Sequence, residues 1–250
     1  MSLPLLVFPM AGLSKRFSDA GFNKPKYMLP LHGLPVFDQV LLGFRNYFLT
    51  HQFLFVYRDI QDTGGFIARR TELLGIPSSN VTAIQLDNTT SGQSETVALG
   101  LELAELEVNR PLSIFNIDTI HHKFNYPESS VLEADGYIEV FTADGDQWSF
   151  VEPDFNGRVK RVTEKIRISD LCSTGLYHFK SSKLFLDTYK RTQDVPVADL
   201  MGRERYVAPL YNLLIADGCD IRFVKVERDE ISLCGVPDDY RLLIEKDELR

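Results

Sequence analysis

The 250-residue sequence has few cysteines, no long apolar run and no run of lysine and arginine. Its three cysteines, Cys172, Cys219 and Cys234, are widely spaced and odd in number, which indicates reduced thiols that pack in the interior rather than a disulfide framework. The apolar stretch at the amino terminus is too short for a signal peptide or a membrane span, so we expect a cytoplasmic protein without a membrane partner. The net charge of −8 disfavours nucleic acid as a partner.

What the sequence contains is typical of a folded globular protein, with 44% hydrophobic and 25% charged residues. No linker rich in serine, glycine or proline divides it, and no internal repeat is visible. We therefore expect one domain over residues 1–250, with two halves that meet at about residue 120. Dimers are common among proteins of this size, so a homo-oligomer is compatible with the sequence.

Apolar runs alternate with amphipathic stretches in the first half, as in βαβ units with buried parallel strands. This pattern predicts strands at 5–9, 52–58, 81–86 and 111–118, and helices at 36–48, about 60–74 and 94–106. Short strands separated by turn residues follow at 136–143, 148–154, 158–165 and 171–180. Helices at about 182–192 and 204–217, a strand at 220–226 and a helix after Pro237 end the chain. The prediction is an α/β, Rossmann-like open sheet, mixed but mostly parallel, flanked by helices and with antiparallel additions in the second half.

The stretch "PMAGLSKRFSDAGFNKPKYMLP" (9–30) places a glycine and several cations directly after the first strand. Gly12 lets the backbone approach a ligand closely, and Arg16 and Lys26 would neutralise phosphates there. The stretch looks like a triphosphate cradle at the carboxyl end of the strand, although one glycine with nearby cations does not by itself favour that interpretation. A plain strand-to-helix turn with solvated cations is the alternative, and Ser14 stands where a second glycine would strengthen the pattern.

The segments "GLSKRF" (12–17) and "PKYMLP" (25–30) resemble the signature of the sugar nucleotidyltransferases, the nucleoside-diphosphate-sugar pyrophosphorylases. The resemblance continues in chain order through "TTSGQSETVALG" (89–100), "FNIDTI" (115–120) and "CGVPDDY" (234–240), over about residues 2–240. It implies a nucleotide-binding half at about 1–120 and an acceptor-binding half at about 121–250. The nucleotide-binding residues that it implies are Met10, Ala11, Gly12, Asp87 and Gly92.

The resemblance implies that Asp118, in "FNIDTI", binds Mg²⁺ as the cofactor. An aspartate at a strand end also often caps a turn, which is the alternative role. Where family members often carry a second metal ligand, this sequence has Leu233 and Pro237. The substitutes that the sequence offers are Asp229, Asp238 and Asp239, or substrate phosphates and water, as Mg²⁺ permits.

The segments "VTEK" (162–165) and "STGLYHF" (173–179) match the family elements that hold the acceptor, which gives that role to Glu164, Lys165 and Gly175. An exposed ion pair of little energetic value is the alternative for Glu164 and Lys165. The segment "DQWSFVEPDFNGRV" (146–159) further resembles a subgroup found with capsule and surface-polysaccharide genes.

The implied reaction joins an NTP to a sugar 1-phosphate or similar phospho-metabolite, giving a nucleoside-diphosphate product and pyrophosphate. Arg16, Lys26 and Asp118 are the predicted catalytic residues, which stabilise charge rather than supply a nucleophile. Two alternatives remain open. One is a glycosyltransferase that uses a nucleotide sugar, although its usual Asp-x-Asp motif is absent. The other is a catalytically silent nucleotide-binding regulator.

Several conspicuous side chains have simpler interpretations. His121 and His122 are adjacent and therefore diverge on a strand or a helix, which disfavours a shared zinc ion. Trp148 is predicted to belong to the core rather than to a stacking platform. Tyr206 and Tyr211, on the helix predicted at 204–217, are predicted to pack.

Overall fold

The computed structural model describes residues 2–106 and 109–248. The strands in these residues are β1 Leu5–Met10, β2 Pro30–Leu31, β3 Leu34–Pro35, β4 Phe53–Tyr57, β5 Val81–Gln85, β6 Leu112–Phe115, β7 Thr119–His121, β8 Gly136–Thr142, β9 Ser149–Pro153, β10 Val159–Glu164, β11 Leu171–Phe179, β12 Ile221–Lys225 and β13 Ile231–Leu233. The α-helices are α1 Lys15–Asp19, α2 Val36–Leu42, α3 Thr63–Leu73, α4 Gln93–Leu103, α5 Ser129–Leu132, α6 Ser182–Lys190, α7 Tyr211–Ala216 and α8 Pro237–Glu248.

One nine-stranded sheet organises the fold. Strands β6, β1, β4 and β5 lie side by side in that order and run parallel. Strand β11 is antiparallel to β6, β8 and β9, strand β10 is antiparallel to β9, and β12 is parallel to β8. Only β10 and β11 thus run against the other strands of the sheet. The predicted class, an open and mostly parallel mixed α/β sheet with antiparallel additions, is confirmed.

Both faces of the sheet are buried, which explains why its parallel strands are continuous apolar runs. In β1 the side chains of Leu5 and Val7 join the core on one face, and those of Leu6 and Phe8 join the core on the other. Helices α4 and α6 cover the first face, while α2 and α3 cover the second. Burial of each such side chain stabilises the fold by about 1.5–3 kcal/mol.

The helix predicted at 36–48 is shorter than expected, because α2 ends at Leu42 and a 3₁₀ turn follows at Arg45–Tyr47. The carbonyl of Gly43 accepts a hydrogen bond of 3.0 Å from the backbone N–H of Phe124 instead of continuing the helical ladder. The backbone of His121 also lies where a side chain at Gly43 would be. Tertiary contacts with a distant segment therefore end this helix.

The helix predicted at 204–217 is also wrong over its first turns, because α7 begins only at Tyr211 after a 3₁₀ turn at Ala208–Leu210. The backbone N–H and carbonyl of Arg205 bond to Ser91 and Ser94 across the molecule. The N–H and the carbonyl of Arg205 are therefore unavailable for the hydrogen bonds of a helix.

Short paired strands were not predicted, because two or three residues carry no readable alternation. They are the β2–β3 hairpin and the antiparallel pair of β7 with β13. All three cysteines are free, with Cys172 and Cys234 buried and Cys219 partly buried. Within residues 2–106 and 109–248, no helix combines the length and the apolar character that a bilayer crossing requires.

Candidate active site

The carboxyl ends of β1 and β6 open into a cavity of about 950 Å³. Parallel strands of an open sheet end at one edge, and ligands of such folds bind there. Ten of the eleven predicted site residues line this cavity, and Asp87 does not. Its wall is formed by residues within 9–16, 26–27, 89–96, 116–119, 147–149, 164–165, 173–177, 197–206 and 233–239.

The chain between β1 and α1 presents bare backbone to the cavity. Gly12 is exposed, and a Cβ added there would meet nothing within 4 Å. Within the described residues, the backbone N–H groups of Gly12 and Leu13 have no hydrogen-bond acceptor. Ser14 adopts a left-handed conformation (φ 50°), and its hydroxyl accepts a hydrogen bond of 3.3 Å from the N–H of Lys26. The turn therefore holds the backbone of Lys26 beside the N–H groups of Gly12 and Leu13.

Lys26 and Arg16 both line the cavity but differ in their contacts. Lys26 donates from Nζ to Oδ2 of Asp118, and both side chains are mostly shielded, with 24% and 20% exposure. Arg16 is exposed on the cavity wall, and within the described part of the chain its guanidinium has no hydrogen-bond or ion-pair partner. The predicted catalytic residues therefore share one cavity.

Cys234, directly after β13, holds the backbone of Asp118. The backbone carbonyl of Asp118 accepts hydrogen bonds from the N–H of Cys234 at 2.9 Å and from the Cys234 thiol at 3.1 Å. Burial raises the pKa of this thiol well above its usual range, so it remains a protonated donor. A Cβ at Gly235 would lie 3.2 Å from Oδ2 of Asp118, so glycine there leaves the carboxylate open to the cavity.

The turn at residues 89–93, which we call the α4 turn, forms the opposite wall. Gly92 has a φ of 153°, and a Cβ there would lie 2.5 Å from the backbone nitrogen of Arg205. The amide of Gln93 donates to the side-chain oxygen of Asn116, which ties the α4 turn to the end of β6. Asp87 is exposed beyond the edge strand β5 and lies outside the cavity wall, so its predicted role in nucleotide binding has no geometric support.

The predicted acceptor residues lie at the end of β10. The carboxylate of Glu164 is only 4% exposed and accepts a hydrogen bond of 2.5 Å from the Ser149 hydroxyl. Burial raises its pKa, against the lowering effects of Ser149 and Lys165. Lys165 has its Nζ 3.8 Å from Oε1 of Glu164 and donates to the hydroxyl of Tyr206. The pair is thus a partly buried cluster rather than an exposed ion pair.

A register shift in β11 brings Gly175 to the same cavity. Pairing of β11 with β8 is interrupted after Ser173, whose hydroxyl accepts from the N–H of Gly175 at 3.0 Å. The hydroxyl of Thr174 donates at 2.8 Å to the buried carboxylate of Glu139. Gly175 has a φ of +92°, and the side chain of Asn116 occupies the space of a would-be Cβ. The shift therefore places the glycine directly against the end of β6.

Two aromatic residues differ from their predicted roles. Tyr206 lines the cavity, half-buried, and its ring lies 4.6 Å from Nζ of Lys165, so the prediction that it merely packs is wrong. Trp148 packs edge-on against Phe141 at 5.4 Å but also lines the cavity, so it serves both core and site. Tyr211 is fully buried, as predicted.

Two charged residues of the cavity wall, Arg203 and Glu204, were missed by sequence reasoning. Arg203 lies just before the helix predicted at 204–217 and Glu204 at its start, and the structure places both in the cavity wall. Asp239, which the sequence offered as a substitute metal ligand, lies in the first turn of α8 and also lines the wall. No spacing rule distinguishes these residues from ordinary surface charges, because their position depends on tertiary contacts.

The adjacent histidines diverge, as expected for neighbours on a strand. His121 is buried with Nε2 3.4 Å from Oε2 of Glu139, whereas His122 is exposed and hydrogen-bonds with Ser232 at 3.1 Å. Among the described residues, no group of three or more His, Cys, Asp or Glu side chains could hold a metal ion.

Comparisons with known proteins agree with this geometry. The crystal structure of the nucleoside-diphosphate-sugar pyrophosphorylase from Vibrio cholerae RC9 is 39% identical, covers 96% of this chain and 100% of its own, and superposes with a TM-score of 0.90. The inositol-1-phosphate CTP transferase from T. maritima is 13% identical, covers 97% of this chain and 95% of its own, and has a TM-score of 0.70. The UTP-bound UGPase from Acinetobacter baumannii is 16% identical, covers 99% of this chain and 94% of its own, and has a TM-score of 0.65.

The chain matches no protein-family model and no curated protein. The two more distant structures share the fold, while the Vibrio cholerae structure is similar in sequence over its whole length. The resemblance inferred from the sequence motifs is therefore confirmed, and the protein is an enzyme of the nucleotidyltransferase type. The chain belongs to the nucleoside-diphosphate-sugar pyrophosphorylase family.

Proposed function

We propose that this enzyme transfers a nucleotidyl group from an NTP to a sugar 1-phosphate or a similar phosphorylated metabolite, with Mg²⁺ as cofactor. The observation that carries the proposal is the single cavity that holds the bare turn at Gly12, the cations Arg16 and Lys26, Asp118, and the Glu164–Lys165 pair. Among the structural neighbours, the bound UTP of the UGPase and the inositol 1-phosphate named for the CTP transferase support both substrate classes.

In the proposed reaction an anionic phosphate oxygen of the acceptor attacks the α-phosphorus of the NTP. A new phosphorus–oxygen bond forms, the bond from the α-phosphorus to the bridging oxygen breaks, and pyrophosphate leaves with the electron pair. The acceptor is already ionised at neutral pH, so no protein nucleophile is required. The protein must orient both phosphates and offset the charge that collects on the leaving group.

The phosphates of the nucleotide would lie along the turn at Met10, Ala11 and Gly12, where the N–H groups of Gly12 and Leu13 have no acceptor among the described residues. Arg16 would provide a bidentate fork for the leaving pyrophosphate, because its guanidinium is unpaired within the described residues. Lys26 would exchange its contact with Asp118 for a phosphate oxygen. The base would lie against the α4 turn near Gly92.

The donor set of the cavity fits a magnesium ion. Asp118 and Asp239 both present carboxylates to the cavity, whereas Asp238 is exposed and pairs with Arg241. Mg²⁺ commonly uses one or two carboxylates and completes its shell with substrate phosphates and water. Asp118 would hold the ion, with Asp239 as the proposed second carboxylate. The bound ion supplies Lewis-acid stabilisation of the phosphates.

The acceptor would occupy the wall formed by Glu164, Lys165 and Gly175. Lys165 offers its charge to the acceptor phosphate, and the buried carboxylate of Glu164 accepts hydrogen bonds from the acceptor's hydroxyl groups. Arg203 adds a further cation whose side chain has no partner in the described part of the chain. We further propose that the product serves surface-polysaccharide synthesis in the cytoplasm, on the basis of the segment at 146–159.

Release of pyrophosphate measures the proposed activity directly. The protein is incubated with each NTP, Mg²⁺ and a panel of sugar 1-phosphates, phosphocholine and related phosphates. We expect release with one base and one acceptor class. Lys26→Met should lower kcat/KM by about 10²–10³-fold. Lys24→Met is the matched control, because Lys24 is exposed on the same segment but lies outside the cavity wall. Tight NTP binding without turnover across the panel would instead favour a nucleotide-binding regulator.

A further inference from the structure

Arg205 is a buried cation that no step of the proposed reaction uses. It is 9% exposed and lies outside the wall of the active-site cavity. Its guanidinium donates to the backbone carbonyls of Thr192 at 2.5 Å, Gln193 at 2.8 Å and Val195 at 2.9 Å. A buried charge is costly unless it is fully hydrogen-bonded, and these carbonyls, just after the end of α6, satisfy it.

These hydrogen bonds close the neck of a loop. Because residues 192–195 and Arg205 are held together, the chain at 196–204 leaves and returns at one point, as in an Ω-loop. None of residues 196–204 is buried, and a second cavity of about 250 Å³ lies beside Leu200 and Met201. The loop therefore buries little of its own surface, and its position depends on its neck and on a few contacts with the end of β10.

The same loop contributes to the acceptor side of the active-site cavity. Val197, Arg203 and Glu204 line that cavity. The sulfur of Met201 accepts a hydrogen bond of 3.0 Å from the backbone N–H of Glu164. Displacement of the loop would therefore move cavity-lining charges and disturb the end of β10.

The backbone of Arg205 holds the α4 turn on the other side of the cavity. Its N–H donates to the carbonyl of Ser91 at 2.9 Å, and its carbonyl accepts from the N–H of Ser94 at 2.7 Å and from the Ser94 hydroxyl at 2.8 Å. Gly92 packs so closely against this backbone that a Cβ there would lie 2.7 Å from the Arg205 carbonyl oxygen. One residue thus contacts both the loop and the α4 turn.

We propose that Arg205 is a positioning residue that couples the acceptor side of the cavity to the nucleotide side. Its guanidinium fixes the 196–204 loop, and its backbone fixes the α4 turn, so an occupied nucleotide site steadies the loop that contacts the acceptor. This inference rests on the proposed function of the cavity. The acceptor should therefore bind more tightly when nucleotide is present. The residue responsible for this coupling, Arg205, contacts neither substrate.

The test uses the full-length protein with the NTP and acceptor that give the fastest pyrophosphate release. Arg205→Met should lower kcat/KM by about 10- to 100-fold, mainly through higher KM values for both substrates, because small displacements of binding groups have effects of this size. Arg205→Lys keeps the charge and part of the hydrogen bonding, and should restore much of the loss. Arg191→Met is the control, since Arg191 lies nearby but is exposed, pairs with Asp217 and does not line the active-site cavity.

Calorimetry supplies the readout that a purely structural role would not change. The wild type should bind the acceptor more tightly with a non-hydrolysable analogue of the same NTP than without it, and Arg205→Met should lose that difference. If Arg205→Met does not fold, Ser94→Ala removes a single hydrogen bond to the Arg205 carbonyl and should raise the acceptor KM by about two- to fivefold.

The outcomes separate the two proposals. Unchanged KM values in active Arg205→Met, or in Ser94→Ala where Arg205→Met does not fold, would overturn the positioning role while leaving the proposed reaction intact. A wild-type protein that releases no pyrophosphate with any pair of substrates would overturn both.

Discussion

At Gly175 a single added methyl group should lower both the stability of the protein and its activity toward the acceptor. The φ of +92° at this glycine strains any other residue, and a Cβ there would lie 2.7 Å from Cγ of Asn116 and 3.1 Å from Cβ of Asn116. Gly175→Ala must therefore push back the Asn116 side chain, which also accepts a hydrogen bond from Gln93 of the α4 turn. The disturbance reaches the end of β6, two residues before Asp118.

The expected magnitudes follow from these contacts. Backbone strain at positive φ costs about 1–3 kcal/mol, which for a chain of this size lowers Tm by about 2–6 °C. A shift of about 1 Å in the groups that hold the acceptor should lower kcat/KM for the acceptor by about 10²-fold. Thermal melts and steady-state pyrophosphate release measure the two effects separately.

Gly157→Ala is the matched control for this prediction. Gly157 has a φ of +76° in the turn between β9 and β10, but a Cβ there would meet nothing within 4 Å, and it lies outside the cavity wall. We expect a comparable strain cost and unchanged kinetics. If Gly175→Ala keeps the kcat/KM of the wild type, or if both variants lose activity equally, Gly175 does not position the acceptor.

Three further predictions concern charge and burial. Asp38→Ala should lower the free energy of unfolding by about 3–5 kcal/mol in denaturant titrations, because it strands the Arg70 guanidinium that pairs with this fully buried carboxylate. Burial raises the pKa of Glu164, so the stability that protonated Glu164 contributes is complete at low pH and is lost as pH rises through that pKa. Glutamine does not titrate, so the Tm of Glu164→Gln relative to wild type should rise from pH 4 to pH 8. Alkylation of the native protein should label Cys219 faster than the other two thiols, which are buried, and denaturation should remove the difference.

Much of the sheet could be predicted from the sequence because its strands are buried on both faces. The strand predicted at 5–9 is β1, and those predicted at 52–58 and 81–86 contain β4 and β5. The glycine and cations of residues 12–26 could be assigned to one site because parallel strands place their following turns at a common edge. For these strands and turns, the local sequence pattern and the fold class lead to the same prediction, so the structure is expected to agree with it.

The parts that failed depend on contacts between residues far apart in the sequence. Helical periodicity continues through Arg205 and Tyr206, but Arg205 bonds its backbone to Ser91 and Ser94, which removes the first turns of the helix. That rearrangement is what places Tyr206 in the cavity. Short-range patterns do not contain this information, because the competing hydrogen bonds come from a segment more than a hundred residues away.

The choice of a second carboxylate for the proposed Mg²⁺ shows the same limit of sequence reasoning at a single residue. Sequence spacing indicates Leu233 and Pro237, neither of which can bind the ion, and treats Asp238 and Asp239 as equivalent substitutes. In α8 successive side chains differ in direction by about 100°. Asp238 accordingly pairs with Arg241, while Asp239 reaches the wall that Asp118 also lines. The phase of the helix, set by how α8 follows Gly235, therefore selects between two neighbouring aspartates that the sequence alone does not distinguish.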